Sequence, residues 1–403
     1  MLSVLALALA ASIADAAPAF YLPERIYAAP EIELNVYFRE VFGSVVPQNF
    51  AFEARCPKGR AELTRWCFTP EKADAGASYR LVVRAWNDDG LVAAATTTVE
   101  VASAPKDPSR RVTLALFGDS LTNCGFQDQV LKTMREAGYV GYEPVGARDP
   151  GGNRAKYDGY GGYTFKSFFT RYAVSEAEIA NVQDEAERAQ LLALGTPVKV
   201  VDASRSRLLK SPLVRIKNGQ KVVDVKAWLD KVNGGVAPDI VVIELGVNSV
   251  FGYVGGPAEL HARIRRELLP ELKGFIARLR EDMPNATYFI CTLPVGTSQD
   301  GYGANYGASY SEVQERQTFF ALNREYDAFV KSLGDPKVRL MPVGHAVDPF
   351  AGYIQSPRPL SARVPKPVVR QVNAVHLSKA GGLQMGDAIA AALMAYLKGT
   401  VGK

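Results

Sequence analysis

The stretch Val112-Thr-Leu-Ala-Leu-Phe-Gly-Asp-Ser-Leu-Thr122 decides how the chain is read. Val112 to Phe117 are apolar or β-branched with no polar alternation, which describes a strand covered on both faces, as in a parallel sheet with helices on each side. The strand runs directly into Gly118-Asp119-Ser120. A serine therefore stands at the carboxyl end of a buried strand, where open parallel sheets form their ligand crevice. Working outward, Ile240–Leu245, Thr287–Thr292 and Val338–Val343 repeat the strand pattern. Helical patterns lie over Asp128–Ala137, Pro257–Asp282 with Pro270 as a kink, Ser311–Ser332 and Gly382–Lys398. The alternation predicts a doubly wound α/β fold. An excursion over 148–236 separates the first two strands and carries the capping box Ser175-x-x-Glu178 ahead of an acidic amphipathic helix.

Upstream, the pattern changes to short alternating runs, such as Glu31–Phe38, Phe50–Arg55, Tyr79–Trp86 and Leu91–Val101, punctuated by Pro57-Lys-Gly and Asn87-Asp-Asp-Gly. That spacing predicts a small all-β sandwich over residues 20–105, joined through the Pro-containing stretch 102–109 to an α/β domain over 110–400. Residues 1–16 read as a signal peptide, with an apolar run from Leu2 to Ile13 before Ala14-Asp15-Ala16, so the expected location is secreted or periplasmic. Lys+Arg 47 against Asp+Glu 42 gives +5 over 403 residues with no basic block, which argues against nucleic acid as a partner. Cysteines at 56, 67, 124 and 291 have no CxxC spacing, and His261, His345 and His376 share no metal-ligand spacing, so no metal or other cofactor is expected. No later run reaches the ~18 apolar residues of a membrane span.

The loops beyond the strands carry the chemistry. Gly118-Asp119-Ser120-Leu121 comes after the first, Gly246-Val247-Asn248 after the second, and Asn373-Ala-Val-His376 precedes the last helix. With Tyr160-Gly161-Gly162-Tyr163-Thr164, these four blocks stand in the order of the GDSL, or SGNH, hydrolase family, which the region Arg111–Lys398 resembles. The resemblance implies a flavodoxin-like three-layer domain, preceded here by an immunoglobulin-like sandwich. It implies Ser120 as nucleophile, His376 as base, and an oxyanion hole from the Ser120 N–H, the Gly162 N–H (Gly161 being the alternative) and the Asn248 amide. Physically, such donors stabilise the charge that builds on the carbonyl oxygen, and a histidine within reach takes the serine proton.

One position departs from the family. Asp usually stands three residues before the histidine, and here it is Asn373. Either Asn373 orients the ring within a Ser–His dyad or another carboxylate substitutes, Asp348 being placed for it by topology. Ser249 replaces the usual Asp after Asn248. Aromatics crowd the candidate cleft loops: Tyr157, Tyr160, Tyr163, Phe165, Phe251, Tyr253, Tyr302, Tyr306 and Tyr310. They suit sugar faces. The expected function is an exported carbohydrate O-acetyl esterase acting on an acylated glycan. The alternatives are a lipid or simple-ester esterase and a degenerate carbohydrate-binding protein. Cys56 and Cys67 are close enough in sequence for a disulfide to be considered, and the sandwich, carrying none of the four blocks, is expected to assist stability or docking only.

Overall fold

A computed structural model describes residues 20–44, 46–200 and 208–399. The candidate signal peptide lies outside the described residues. In the amino-terminal region, strands β1 (Arg25–Ala28), β7 (Gly90–Val101), β6 (Ser78–Asn87) and β3 (Ala51–Arg55) form one sheet in that order, and β2 (Leu34–Tyr37), β5 (Arg65–Phe68) and β4 (Arg60–Ala61) form another. Both contribute to one apolar core, with Ile26, Val36, Trp66, Leu81, Val83 and Val99 buried together. In β6 and β7 burial alternates along the strand, because one face meets this core and the other meets water. All four cysteines are free thiols, so Cys56 and Cys67 are unbridged.

The second region is built on β8 (Val112–Gly118), β9 (Tyr142–Val145), β10 (Asp158–Gly159), β13 (Ile240–Glu244), β14 (Thr287–Cys291) and β15 (Val338–Met341), all parallel. Strands β9 and β10 share one edge of β8, and β13, β14 and β15 follow on its other side. Taking β9 and β10 as one position gives the doubly wound order 2-1-3-4-5. Every residue of β8, β13 and β14 is buried, as the unbroken apolar runs predict. The chain reverses direction across the sheet between β8 and β13, so the crevice opens beyond Gly118 and Glu244.

The helices run over Phe126–Glu136, Glu312–Leu333 and Lys379–Gly399 as the periodicity predicts. The expected long helix at 257–282 is divided into Pro257–Arg263, a π-helical turn Ile264–Leu268 and Leu269–Asp282, the irregularity falling just before Pro270, which has no N–H to continue the ladder. Ser175 and Glu178 make both bonds of their capping box, but the helix they start ends at Asn181, and a second short helix spans Glu185–Ala193. The excursion also contains a hairpin of β11 (Val214–Lys217) and β12 (Gln220–Val223). Another hairpin, β16 (Gln355–Ser361) and β17 (Val364–Gln371), stands before the last helix. Among the described residues no helix is long and apolar enough to cross a membrane.

Candidate active site

Strand β8 ends at Gly118, where any side chain would overlap Thr122 Oγ1, so glycine lets the chain fold back into the tight turn Leu121–Cys124. Ser120 stands half-buried at the start of that turn. Beneath it Asp119 is fully buried. Its Oδ1 accepts the Leu121 N–H at 2.9 Å, its Oδ2 accepts the Asn248 amide at 2.9 Å, and the Ser120 N–H is also directed at this carboxyl group. Glu244, at the end of β13, lies in register with Gly118, and its Oε2 accepts the Thr122 hydroxyl at 2.8 Å. Burial pushes the Asp119 carboxyl up to about 7, and burial together with the charge of Asp119 holds Glu244 well above the usual carboxylate range. Two buried carboxyl groups this close favour keeping a proton between them at neutral pH. The pair holds the first half of the Ser120 turn, at Leu121 and Thr122.

Parallel pairing of Asp158 with Phe117 and Gly159 with Gly118 brings the second loop alongside. Tyr160 N–H donates to Gly118 O at 3.0 Å, and Tyr163 N–H closes back on Tyr160 O at 3.1 Å. Gly162, with φ +74°, occupies the third position of this turn, where a type II geometry calls for glycine. The N–H at that position takes no part in the closing bond, which suits it to an external acceptor. Gly161 is the glycine nearer the nucleophile: a Cβ there would lie 3.8 Å from Ser120 Cβ. Arg148 ties the two loops together, donating to Asn123 Oδ1 and Gly159 O with its guanidinium over the Tyr157 ring.

Asn248 lies in the short helix Val247–Val250 beyond β13. Its Nδ2 donates to Asp119 Oδ2 and, at 3.2 Å, to Tyr163 O. An amide carries two hydrogens, and both are engaged here. To reach an oxyanion, Asn248 must exchange the longer bond to Tyr163 O for one to substrate.

The histidine loop arrives from the far end of the chain. Asn373 Oδ1 accepts the N–H groups of Val375 (3.0 Å) and His376 (2.7 Å) and lies 3.1 Å from His376 Nδ1. With Nδ1–H donating to that oxygen, Nε2 is the basic nitrogen. Burial holds His376 below its ordinary value. The loop meets the nucleophile turn through Cys124, whose thiol lies 3.8 Å from Ser120 O and faces the Leu377 N–H, one residue beyond His376. Among the described residues no hydrogen bond joins the Ser120 hydroxyl to the His376 ring. Asp348 is occupied elsewhere: its Oδ1 accepts the N–H groups of Phe350 and Ala351, closing a turn of its own.

The aromatic residues divide. Tyr157, Tyr160, Tyr163, Phe165, Tyr253 and Tyr302 are buried in the core, so they pack the loops and offer no face to a sugar. Phe251, Tyr306 and Tyr310 remain near the surface as a cluster, with ring centroids 4.7–5.2 Å apart. Glu244, Arg148 and the structural use of Asp119 are not legible in the sequence. Asp119 stands inside the Gly-Asp-Ser-Leu motif without declaring its bonds, whereas a Glu ending an apolar strand and an isolated loop Arg carry no local signal.

The chain matches no family model and no curated protein. Among solved structures it is similar to the Clostridium thermocellum family 3 carbohydrate esterase, at 14% identity and TM-score 0.39 over 73% of this chain and 100% of that one. It is similar to a family 3 carbohydrate esterase from Talaromyces cellulolyticus, at 14% and 0.39 over 72% and 99%. A third is the Clostridium thermocellum family two carbohydrate esterase in complex with cellohexaose, at 13% and 0.34 over 92% and 94%. Likenesses at these scores add no weight to the strand order and the site geometry.

Proposed function

We propose that this chain is a serine ester hydrolase of the SGNH type, exported from the cell and removing O-acetyl groups from a glycan. The observation that carries the reading is convergence: Ser120 follows the first strand of a 2-1-3-4-5 sheet, and the loops bearing Gly162, Asn248 and His376 all close on its turn. In this reading residues 1–16 direct export, residues 20–105 are an immunoglobulin-like module and residues 110–400 the catalytic domain.

The chemistry is set by the groups present. Ser120 Oγ attacks the ester carbonyl carbon while His376 Nε2 takes its proton, and the negative charge passes to the carbonyl oxygen. The Gly162 N–H, and Asn248 once it exchanges Tyr163 O for substrate, stabilise that oxygen. Collapse expels the sugar alkoxide, which recovers the proton from His376, and leaves an acyl group on Ser120. Water, deprotonated by His376, then releases the acid and restores the serine. Asn373 orients the ring but is neutral, so it stabilises the imidazolium less than a carboxylate does.

A second reading rests on a cavity of about 460 Å³ beside Gly161 and Gly162, floored by Ala173, Val198, Val200, Leu208 and Leu209. It is far larger than an acetyl group and, apart from Arg171 and Lys199 in its lining, apolar, which favours longer acyl chains. A series of p-nitrophenyl esters separates the two: falling kcat/KM beyond acetate supports the O-acetyl esterase, and a maximum at a longer chain supports the second reading. Either way Ser120→Ala and His376→Ala are expected to lower kcat by about 10³-fold or more on p-nitrophenyl acetate. Full activity in either variant contradicts the proposed roles.

A further inference from the structure

Hairpin β16–β17 rises directly from the histidine loop. At its base Ile354 N–H donates to His376 O at 3.4 Å, and Tyr353 bridges to Leu377. From Pro349 to Gly386 the chain has no acidic residue, while Arg358, Arg363, Lys366, Arg370 and Lys379 lie within that stretch. Arg370 reaches Asp300 (3.7 Å), at the start of the helix Gln299–Tyr306. Arg358, Arg363 and Lys366 are exposed and have no ion-pair partner among the described residues. The register pairs Arg358 with Val368 and Ser356 with Arg370. Period-two alternation then puts Arg358 and Arg370 on one face, with Lys366 at the irregularity between the Pro359–Pro367 and Ser361–Val364 pairs and Arg363 at the tip.

Prolines thin out the main-chain donors that an added strand, the commonest protein partner of an exposed strand, would use. Pro359 pairs directly with Pro367, so this is a position where N–H groups point outward. Stepping by two along β16 puts Pro357 in the same outward series, so the outer edge of β16 lacks two successive donors. On β17 Pro367 removes one, while Val369, opposite Pro357, keeps its N–H. Recognition falls mainly to the side chains, of which Arg358, Arg363 and Lys366 are the exposed charged ones, beside the exposed aliphatic Leu360, Val364 and Val369. Residues 355–371 include no Trp, Tyr or Phe, the side chains that seat a protein at a bilayer surface or stack on nucleic-acid bases.

We propose that hairpin 355–371 is a docking arm for an acidic glycan, its Arg358, Arg363 and Lys366 holding sugar carboxylates while an ester on the same polymer enters the crevice at Ser120. The inference deepens the ester-hydrolase reading and rests on it for what happens at Ser120, though binding to the arm is measurable without turnover. The arm rises from the His376 loop with Arg358 nearer its base and Arg363 at its tip, so a long polymer held along it can extend to the reaction centre, where charge complementarity raises its local concentration.

The test uses the full chain with polygalacturonate as the acidic probe and xylan as the neutral one. Wild type is expected to bind polygalacturonate at least about tenfold tighter than xylan at low salt, with the preference lost near 0.5 M salt, where charge attraction is screened. The triple variant Arg358→Gln/Arg363→Gln/Lys366→Gln is expected to lose that preference, and Arg358→Lys/Arg363→Lys to keep it. Both should hydrolyse p-nitrophenyl acetate as wild type does, since none of these residues belongs to the reaction centre; the single variant Arg363→Gln, at the tip, repeats the test with the least risk to folding. Equal binding of the two polymers, or a preference unchanged in the triple variant, overturns the proposal. Binding to phosphatidylglycerol vesicles without binding to polygalacturonate overturns it as well and assigns the arm to a membrane. Failure of wild type to cleave p-nitrophenyl acetate contradicts the hydrolase reading instead, and the polygalacturonate comparison still decides the arm.

Discussion

The Ser120 turn and the His376 loop, proposed to carry nucleophile and base, are held in place by opposite means. Gly118–Cys124 is secured by its own strand and the two beside it: Gly118 fits under Thr122, Asp119 gathers the N–H groups above it, and Glu244 locks the turn from the neighbouring strand. Asn373–Leu377 hangs instead from a loop after β14. There Thr297 N–H donates to Ala374 O, Ser298 N–H to Gln371 Oε1 and Gly296 N–H to the Tyr353 hydroxyl. That loop in turn leans on the amino-terminal region, because Val295 N–H donates to the buried Glu40 Oε2 at 2.6 Å. Nearby, the buried Arg316 guanidinium donates to the carbonyls of Arg39, Phe42 and Ser44. The β region thus has a part in the site beyond the stability and docking expected of it. It backs the half that carries the base.

Removing residues 1–108 breaks the comparison most severely. Arg316 would lose all three carbonyl acceptors, Val295 would lose the Glu40 carboxylate, and the face that Arg39–Ser44 covers would be opened to water. The truncated chain is expected to be unfolded by circular dichroism or, if folded, to have lost about 10³-fold or more of kcat/KM. A folded truncation with full activity would show that the base loop stands without the β region.

A smaller effect sharpens the base side alone. Asn373→Asp keeps an oxygen that accepts the same three donors and adds a charge beside the imidazolium, so kcat is expected to rise about tenfold or more. The sign of the pH effect is fixed too. His376 lies below its ordinary value through burial, so the wild-type acid limb of kcat/KM falls below about 6.5, and a neighbouring carboxylate moves it upward. Asp348→Asn, whose carboxylate serves its own turn, is expected to change kcat less than about threefold, being outside the site. A large loss in folded Asp348→Asn would reverse the assignment.

The smallest effect concerns the buried carboxyl groups on both sides. Asp119, Asp158, Glu40 and Glu315 are each pushed up to about 7, chiefly by burial, and Glu244 is raised as well. A group whose folded value exceeds its unfolded one stabilises fully below the unfolded value, near 4, and loses that contribution as pH rises through the folded value. Melting temperature is therefore expected to fall by about 3 °C or more between pH 5 and pH 8. Between about pH 4 and 6.5 the buried His345, held down to about 4 by burial, works the other way, so the fall is steepest above pH 6.5. A flat or rising profile from pH 5 to 8 would contradict the account of Asp119 and Glu244.

The same contrast explains which parts of the molecule are legible in the sequence. Strands such as β8 and β13 declare themselves through local apolar runs, and the motif at Ser120 lies within four residues of the turn it builds. The aromatic loop residues mislead because composition does not say which way a ring points: Tyr160 and Tyr163 stack on each other inside the core, while Tyr306 lies partly exposed. The contacts of Glu40 with Val295 and of Arg316 with Ser44 join residues more than 250 positions apart, and nothing in either segment announces its partner.

The central claim is that Ser120, activated by His376, forms an acyl-enzyme. A fluorophosphonate reacts covalently with such a serine, so incubating the full chain with one and locating the adduct by peptide mass spectrometry tests it directly. The account predicts a single adduct on Ser120, formed in step with loss of p-nitrophenyl acetate hydrolysis and slowed by His376→Ala. An active protein that carries its adduct on another residue, or stays active with Ser120 fully modified, would contradict it.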